Sequence, residues 1–316
     1  MTAVSYLGRS DTPTESRRRS TPAQQQRTST RFTAKLMGFL ALFSMLQGIP
    51  AADAKVTLVF GVYTSEKPSA MVRQMRPSLE ALSKQASAAL GEEVEIKLDV
   101  VKTYLEGRAG LLSGRFDFMR LGPASYVLAK SEKPGLQILA IENKKGKKMT
   151  NGIICVKADS EITDISQLRS RTFAFGNKRS TLGRYYPQKA LADVGITARS
   201  LARFEYLGRH DKVGRAVAKG EFDAGALSES TFKKLLKKGV PLRAIAKFPA
   251  PTKPWVARAG MSPRIKQALT QALLRLDDPK ALKALRANGF MEATDADFNG
   301  VRKAIEVNQR FFGGIG

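Results

Sequence analysis

The residues best placed to do chemistry lie in one short run, Asn177-Lys178-Arg179-Ser180-Thr181-Leu182-Gly183, which follows the apolar segment Phe173-Ala174-Phe175 and leads into a helical pattern. The first backbone N–H groups of a helix have no intrahelical acceptor, and the helix dipole places positive charge there. Hydroxyls and cations beside them therefore make a receptor for an oxyanion. The same Ser180-Thr181 pair also reads as an ordinary helix cap. A helix start contributes about 0.3–1 kcal/mol to an anion, and a charge-assisted hydrogen bond about 1.5–3 kcal/mol. Micromolar affinity needs about 8 kcal/mol, so several donors from elsewhere must converge on this turn.

His210, the one histidine of the chain, is followed by Asp211. The pair reads as a polar helix start, as a donor to an anion, or as a general base. A protonated His210 donor predicts binding that weakens as pH rises. Catalysis would have to be assembled from Ser180, His210 and Asp211, and no Gly-x-Ser-x-Gly turn surrounds the serine. Tyr63 and Tyr126 read either as packing groups or as hydroxyl donors. Asp223 and Glu229 read as partners for a cationic substituent or as caps of the next helix. With one Cys and one His, no Cys/His metal cluster can form and Cys155 has no internal disulfide partner.

The elements that must position these groups follow from hydrophobic periodicity. Residues 55–62 are β-branched and apolar, residues 72–86 repeat at helical spacing, and residues 94–100 alternate as a half-buried strand. Helix 104–112, strand 116–121, helix 124–131 and strand 136–141 continue the pattern. The lysine-rich segment 142–150 marks a crossing. Beyond it come strands 152–156, 172–176, 204–207 and 223–227, with helices through 190, over 211–219 and through 236. Pro249, Pro251 and Pro254 then break the chain before residues 255–257, and three helices end it. This predicts an α/β protein of two lobes, residues 55–150 plus 250–316 and residues 151–249, each a mainly parallel sheet flanked by helices, with a hinged cleft between. Loops at the carboxyl ends of strands, 61–65, 121–126, 177–183 and 208–211, would face one another across it.

Residues 31–54 read as an export signal, with a basic flank, an apolar run over 36–46 and the small-x-small site Ala52-Asp53-Ala54 before Lys55. The run also reads as an uncleaved anchor, though it is shorter than the roughly 20 residues of a membrane span. Residues 1–30 are polar and read as disordered. The chain has a formal charge of +25, and without its first 54 residues, which hold seven basic and three acidic groups, +21. Such an excess favours anionic partners without specifying a fold.

Phe60-Gly61-Val62, Leu121-Gly122-Pro123-Ala124-Ser125-Tyr126, residues 164–175, Ser180-Thr181-Leu182-Gly183, His210-Asp211 and Gly220-Glu221-Phe222-Asp223-Ala224-Gly225-Ala226 occur in the order and spacing of one family. Over about residues 56–311 the chain resembles the phosphate/phosphite/phosphonate-binding proteins of ABC importers. The resemblance implies a type II periplasmic binding fold that closes on an oxyanion. Ser180, Thr181 and His210 would donate from one lobe, and Tyr63 and Tyr126 from the other. Arg179, Asp211 and Ser228 complete the ligand-binding set, with no catalytic residue, metal or cofactor. Two departures stand out. Leu182 replaces a second serine, and Arg179 stands where a small polar residue is common. The acid that recognises an aminoalkyl group in some relatives has only an offset match at Glu229, with Ser230 in register, which argues against an aminophosphonate.

The reading that results is a monomeric periplasmic receptor for phosphate, phosphonate or a related oxyanion that serves an inner-membrane ABC permease. The alternative is an enzyme on the same fold with His210 as base. A nucleic-acid or anionic-membrane binder would use lysines 144–148, but no aromatics interleave with them.

Overall fold

The computed structural model of the chain describes residues 55–63 and 68–313. The export signal, its cleavage site, the polar stretch before it, and Thr64 and Ser65 lie outside the described residues. The first sheet contains β1 (Val56–Tyr63), β2 (Val94–Val101), β3 (Phe118–Arg120), β4 (Gln137–Glu142), β10 (Pro254–Ala257) and β11 (Phe290–Met291), in the order β11-β4-β10-β3-β1-β2. The second contains β5 (Met149–Lys157), β6 (Thr172–Phe175), β7 (Arg203–Tyr206), β8 (Ala224–Ser228) and β9 (Leu242–Pro251), in the order β7-β6-β8-β5-β9.

Both sheets are mixed rather than mainly parallel. Strands joined by helical crossovers do run parallel, as β1 does with β2 and β3, and β6 with β7 and β8. The strands next to the chain crossings, β5, β9 and β10, pair antiparallel. The prolines predicted to break the chain instead lie in and around β9, whose one paired edge faces β5. An edge strand tolerates the absence of an N–H donor at proline.

Helices cover both faces of each sheet. On one face of the first sheet, α1 (Pro68–Leu90), α7 (Pro263–Leu274) and α8 (Pro279–Leu285) bury Met75, Leu82 and Leu269 against Phe60 and Trp255. On the other, α2 (Tyr104–Ser113) and α3 (Pro123–Glu132) enclose Leu111, Phe116 and Tyr126. In the second sheet, α4 (Tyr186–Asp193) covers Phe173 and Phe175. The opposite face packs Val213 and Val217 of α5 (His210–Ala218) and Phe232 of α6 (Glu229–Leu236). The last helix, α9 (Asn299–Phe311), does not pack on the first sheet alone. Val301 and Ala304 join the first sheet's core while Phe311 joins the second's.

The two crossings lie side by side, Met149 opposite Pro251 and Thr150 opposite Ala250. Beyond them Glu142 N–H donates to the Lys253 carbonyl at 3.1 Å, and Thr252 N–H to the Lys148 carbonyl at 2.8 Å. The buried Glu142 carboxylate is paired with the buried Arg120 guanidinium. Burial works to raise the Glu142 carboxyl, but Arg120, with help from Lys253 and Lys144, outweighs it and holds the group below the usual carboxylate range. Glu142→Ala strands the Arg120 charge and is expected to cost about 3–5 kcal/mol in urea unfolding, whereas replacing both partners by apolar residues costs far less. A loss under about 1 kcal/mol for the single variant would show the pair to be incidental.

Candidate functional site

Past the end of β6 the backbones of Gly176 and Gly183 touch. A Cβ on Gly183 would sit 2.9 Å from the Gly176 Cα, and Gly176 N–H donates to the Gly183 carbonyl at 2.7 Å. This close approach folds the run 177–182 outward as a loop. Thr181–Tyr185 then form a single π-helical turn leading into α4, capped by Ser180 Oγ, which accepts Gly183 N–H at 3.0 Å. The N–H groups of Thr181 and Leu182 are left without intrahelical acceptors. Ser180 and Thr181 are both buried.

What buries them comes from the first sheet. The α3 start, Gly122-Pro123-Ala124, aims at the π-helical turn, and Ala124 N–H donates to Thr181 Oγ1 at 2.9 Å. Tyr63 Oη accepts Gly122 N–H at 2.6 Å and donates to Ser125 Oγ at 3.4 Å. The Tyr63 ring stacks on Tyr104 at 4.0 Å, and the Tyr104 phenol lies on the side of Ser180. Burial pushes both phenols above their ordinary value, so each remains a neutral donor at physiological pH. Gly107 permits this stacking, because a Cβ there would come within 2.9 Å of the Tyr63 ring.

The chemistry of the site follows from these bonds. A hydroxyl that accepts a backbone N–H keeps its own proton to give. Ser180 accepts from Gly183 and Thr181 accepts from Ala124, so both are oriented as donors. Two helix starts, one beside each sheet, add positive dipole ends, and the π-helical turn adds the Thr181 and Leu182 amides.

Tyr63 and Thr181 both meet the α3 start, with Ser180 next to Thr181, and the structure separates the other candidates from them. Tyr126 points elsewhere: its hydroxyl donates to Asp295 Oδ1 at 2.6 Å and its ring packs on Phe298. Asp211 accepts a two-pronged contact from Arg209, which holds its carboxyl below the ordinary value. Ser228 caps α6 by accepting Thr231 N–H at 3.3 Å. Asp223 accepts from Thr172 N–H and Oγ1 at 2.8 and 2.7 Å, so it too is a structural brace. Glu229 is bound by Asn151, Lys233 and Lys247. Burial opposes its ionisation, yet these partners bring its carboxyl down to about 2.

His210 opens α5 beside the second crossing. Its Nδ1 is buried without a well-formed hydrogen bond. Burial first, then the Lys253 ammonium, push the imidazole down to about 4 against the opposing pull of Asp211 and the Ala226 carbonyl. The ring is therefore neutral at pH 7, which removes the protonated donor read from the sequence and leaves a weak base. Tyr104, which the sequence reading left out, and Ser125, which it named only within the loop 121–126, lie beside Tyr63. Tyr104 sits at the carboxyl end of β2, a loop of the same kind as the four that were singled out.

Two mixed α/β sheets joined by paired crossings, with donors converging from both, define a type II periplasmic binding fold. Residues 60–298 match the family described as the ABC transporter, phosphonate, periplasmic substrate-binding protein, and the chain belongs to that family. A Prochlorococcus marinus (strain MIT 9301) protein, the probable ABC transporter phosphite binding protein PhnD1, is 26% identical over 202 residues. That is 62% of this chain and 66% of the relative, just under two thirds of its length. The structure of PhnD1 in complex with methylphosphonate matches with a TM-score of 0.68 at 21% identity, covering 80% of this chain and 98% of that one. XAC2383 from Xanthomonas citri, bound to a chloride ion, matches with a TM-score of 0.68 at 24% identity, covering 81% and 98%.

The lowered His210 gives a pH prediction with a definite sign. The unfolded chain protonates this ring near its ordinary value of about 6.5 and the folded chain only at about 4. Stability is complete above about pH 6.5 and falls as pH drops, by about 2–3 kcal/mol at pH 4.5. His210→Gln should remove that share of the acid loss in urea unfolding at pH 7 and 4.5. An unchanged slope would place the ring in solvent.

Proposed function

We propose that the chain is a periplasmic receptor for a small phosphorus oxyanion, a phosphonate, phosphite or phosphate, which it passes unchanged to an ABC permease in the inner membrane. The observation that carries this reading is the pair of opposed helix starts, with Ser180 and Thr181 hydroxyls oriented as donors by the amides of Gly183 and Ala124. In this reading the two sheets are lobes that hinge at residues 142–150 and 250–254, Tyr63 and Tyr104 close over the ligand, and His210 contacts it as a neutral ring. Arg179 contributes charge from the rim. Export follows cleavage after Ala54, and the mature chain acts as a monomer.

Support also comes from the relatives' ligands, since PhnD1 is described as a probable phosphite binder and its structure holds methylphosphonate. No bond in the ligand is broken in this reading, because His210 near 4 is a poor base and no described contact joins it to Ser180. The free amine of an aminophosphonate gains nothing from Glu229, whose carboxylate is already held by two lysines.

Thermal unfolding with added phosphate, phosphite, methylphosphonate and methanesulfonate tests the proposal. A true ligand at 100 times its Kd stabilises the fold by about 2.7 kcal/mol. Ser180→Ala/Thr181→Ala should abolish that shift while the unliganded chain stays folded. Unchanged stabilisation would put the ligand elsewhere, and any product in a mass spectrum after long incubation would overturn the receptor. In the same screen 2-aminoethylphosphonate is expected to bind no tighter than methylphosphonate. Tighter binding would mean that Glu229 leaves its lysines.

A further inference from the structure

Residues 230–276 hold eleven basic residues and no acidic one, so each of these charges depends on an acid from another part of the chain. For the lysines of α6 the structure supplies Glu229, and it is taken by Lys233 and Lys247. On the neighbouring α5, Asp211 is held by Arg209, and Glu221, just beyond the helix, pairs with Lys219. Among the described residues no ion pair is made by Lys212, Arg215, Lys234, Lys237 or Lys238, and all five are exposed.

Packing fixes which way these cations point. Val213 and Val217 of α5 and Phe232 and Leu235 of α6 are buried in one core against the second sheet. Gly214 of α5 lies against Leu235 of α6, where a Cβ would come within 2.4 Å of Leu235 Cδ1, so the two helices sit side by side. Their cations occupy the solvent side, Lys212 and Arg215 one turn apart on α5 and Lys234 and Lys237 one turn apart at the end of α6. That end is a closed turn, with Lys237 N–H donating to the Lys233 carbonyl at 3.1 Å and Lys238 N–H to the Leu235 carbonyl at 2.9 Å. Its dipole offers roughly half a negative charge, less than one lysine needs. Leu236, 42% exposed, lies among these lysines.

We infer that the α5–α6 face docks on an anionic lipid surface, the phosphate headgroups of a phospholipid bilayer. A protein partner fits it poorly, because protein interfaces are anchored by aromatic residues and arginine and are depleted in lysine. Four of the five unpaired cations are lysines, and the one aromatic residue of the two helices, Phe232, is buried. Headgroups are mobile and ask for no fixed hydrogen-bond geometry, which suits the point charge of a lysine. Lysines around one exposed apolar side chain rest at headgroup level, with Leu236 reaching toward the acyl boundary. The face is separate from the oxyanion site, since none of the five cations lines the pocket beside it, where Lys178, Arg179 and Arg184 lie. The inference does not depend on which oxyanion the receptor takes.

Co-sedimentation of the full chain with protein-free vesicles tests it, comparing phosphatidylcholine alone with phosphatidylcholine mixed with phosphatidylglycerol. The readout is the difference between the two, which cancels any contribution of the apolar run over 36–46, common to every variant. The chain is expected to prefer the anionic vesicles, and to lose that preference at about 1 M salt, where screening acts within about 3 Å. Each cation near an anionic surface adds about fivefold in affinity. Lys234→Gln/Lys237→Gln/Lys238→Gln should therefore weaken the preference about a hundredfold, and Lys212→Gln/Arg215→Gln about twentyfold. Lys84→Gln/Lys280→Gln/Lys283→Gln removes the same charge from exposed positions on α1 and α8 and should change it by less than about threefold. All three variants should keep the unfolding temperature of wild type. The proposal is overturned if anionic vesicles bind no better than neutral ones, which would leave the face to an acidic protein. It is equally overturned if the α5 and α6 variants bind as wild type does, or if the α1–α8 variant loses as much as the α6 variant, since net charge alone would then account for the association.

Discussion

Two helix starts that point at each other are electrostatically unfavourable by themselves. Each carries roughly half a positive charge and unsatisfied amides, so bringing them together costs free energy unless something between them accepts hydrogen bonds. In this chain the first answer is the Thr181 hydroxyl, which accepts the Ala124 amide. The arrangement has capacity for more, since the hydroxyl protons and the first amides of the π-helical turn remain to be given. The receptor reading depends on that constraint, and the surrounding architecture keeps the two starts opposed.

The architecture does so by spending glycines and buried charge at defined points. Gly176 and Gly183 bring a strand end and a helix start into backbone contact, which no larger residue allows. Gly107 and Gly122 make room for Tyr63 in the same way. At the base of the crossings, Glu142 and Arg120 form a buried pair that links β3, β4 and the second crossing. Burial keeps the Tyr63 and Tyr104 phenols neutral, so the field beside them comes from backbone dipoles rather than from their own charge. A large net positive charge draws anions toward the molecule.

Much of this was legible in the residues. Apolar alternation at 94–100 and helical spacing at 72–86 mark β2 and α1 because packing demands those periods in any context, and Ser180-Thr181 mark a helix start because few other residues cap one. The strand β9 was not legible, because its prolines argue against pairing until it is known to lie at an edge. The antiparallel direction of β5, β9 and β10 was equally hidden, since direction is a property of the crossing and not of the strand's own residues.

The site divides in the same way. Its chemical types, hydroxyls and amides with cations beside them, are local and were determined by the sequence, as were the α/β pattern and the family. Which side chains face one another was decided by tertiary structure alone. Tyr126 and Tyr104 have the same chemistry and both lie in the first turn of a helix that follows a strand, yet one bonds Asp295 and the other stacks on Tyr63. His210 has an ordinary affinity for protons until burial and Lys253 remove it. Facing, burial and the field at an atom are sums over residues distant in the chain, and no reading of neighbours along the sequence contains them.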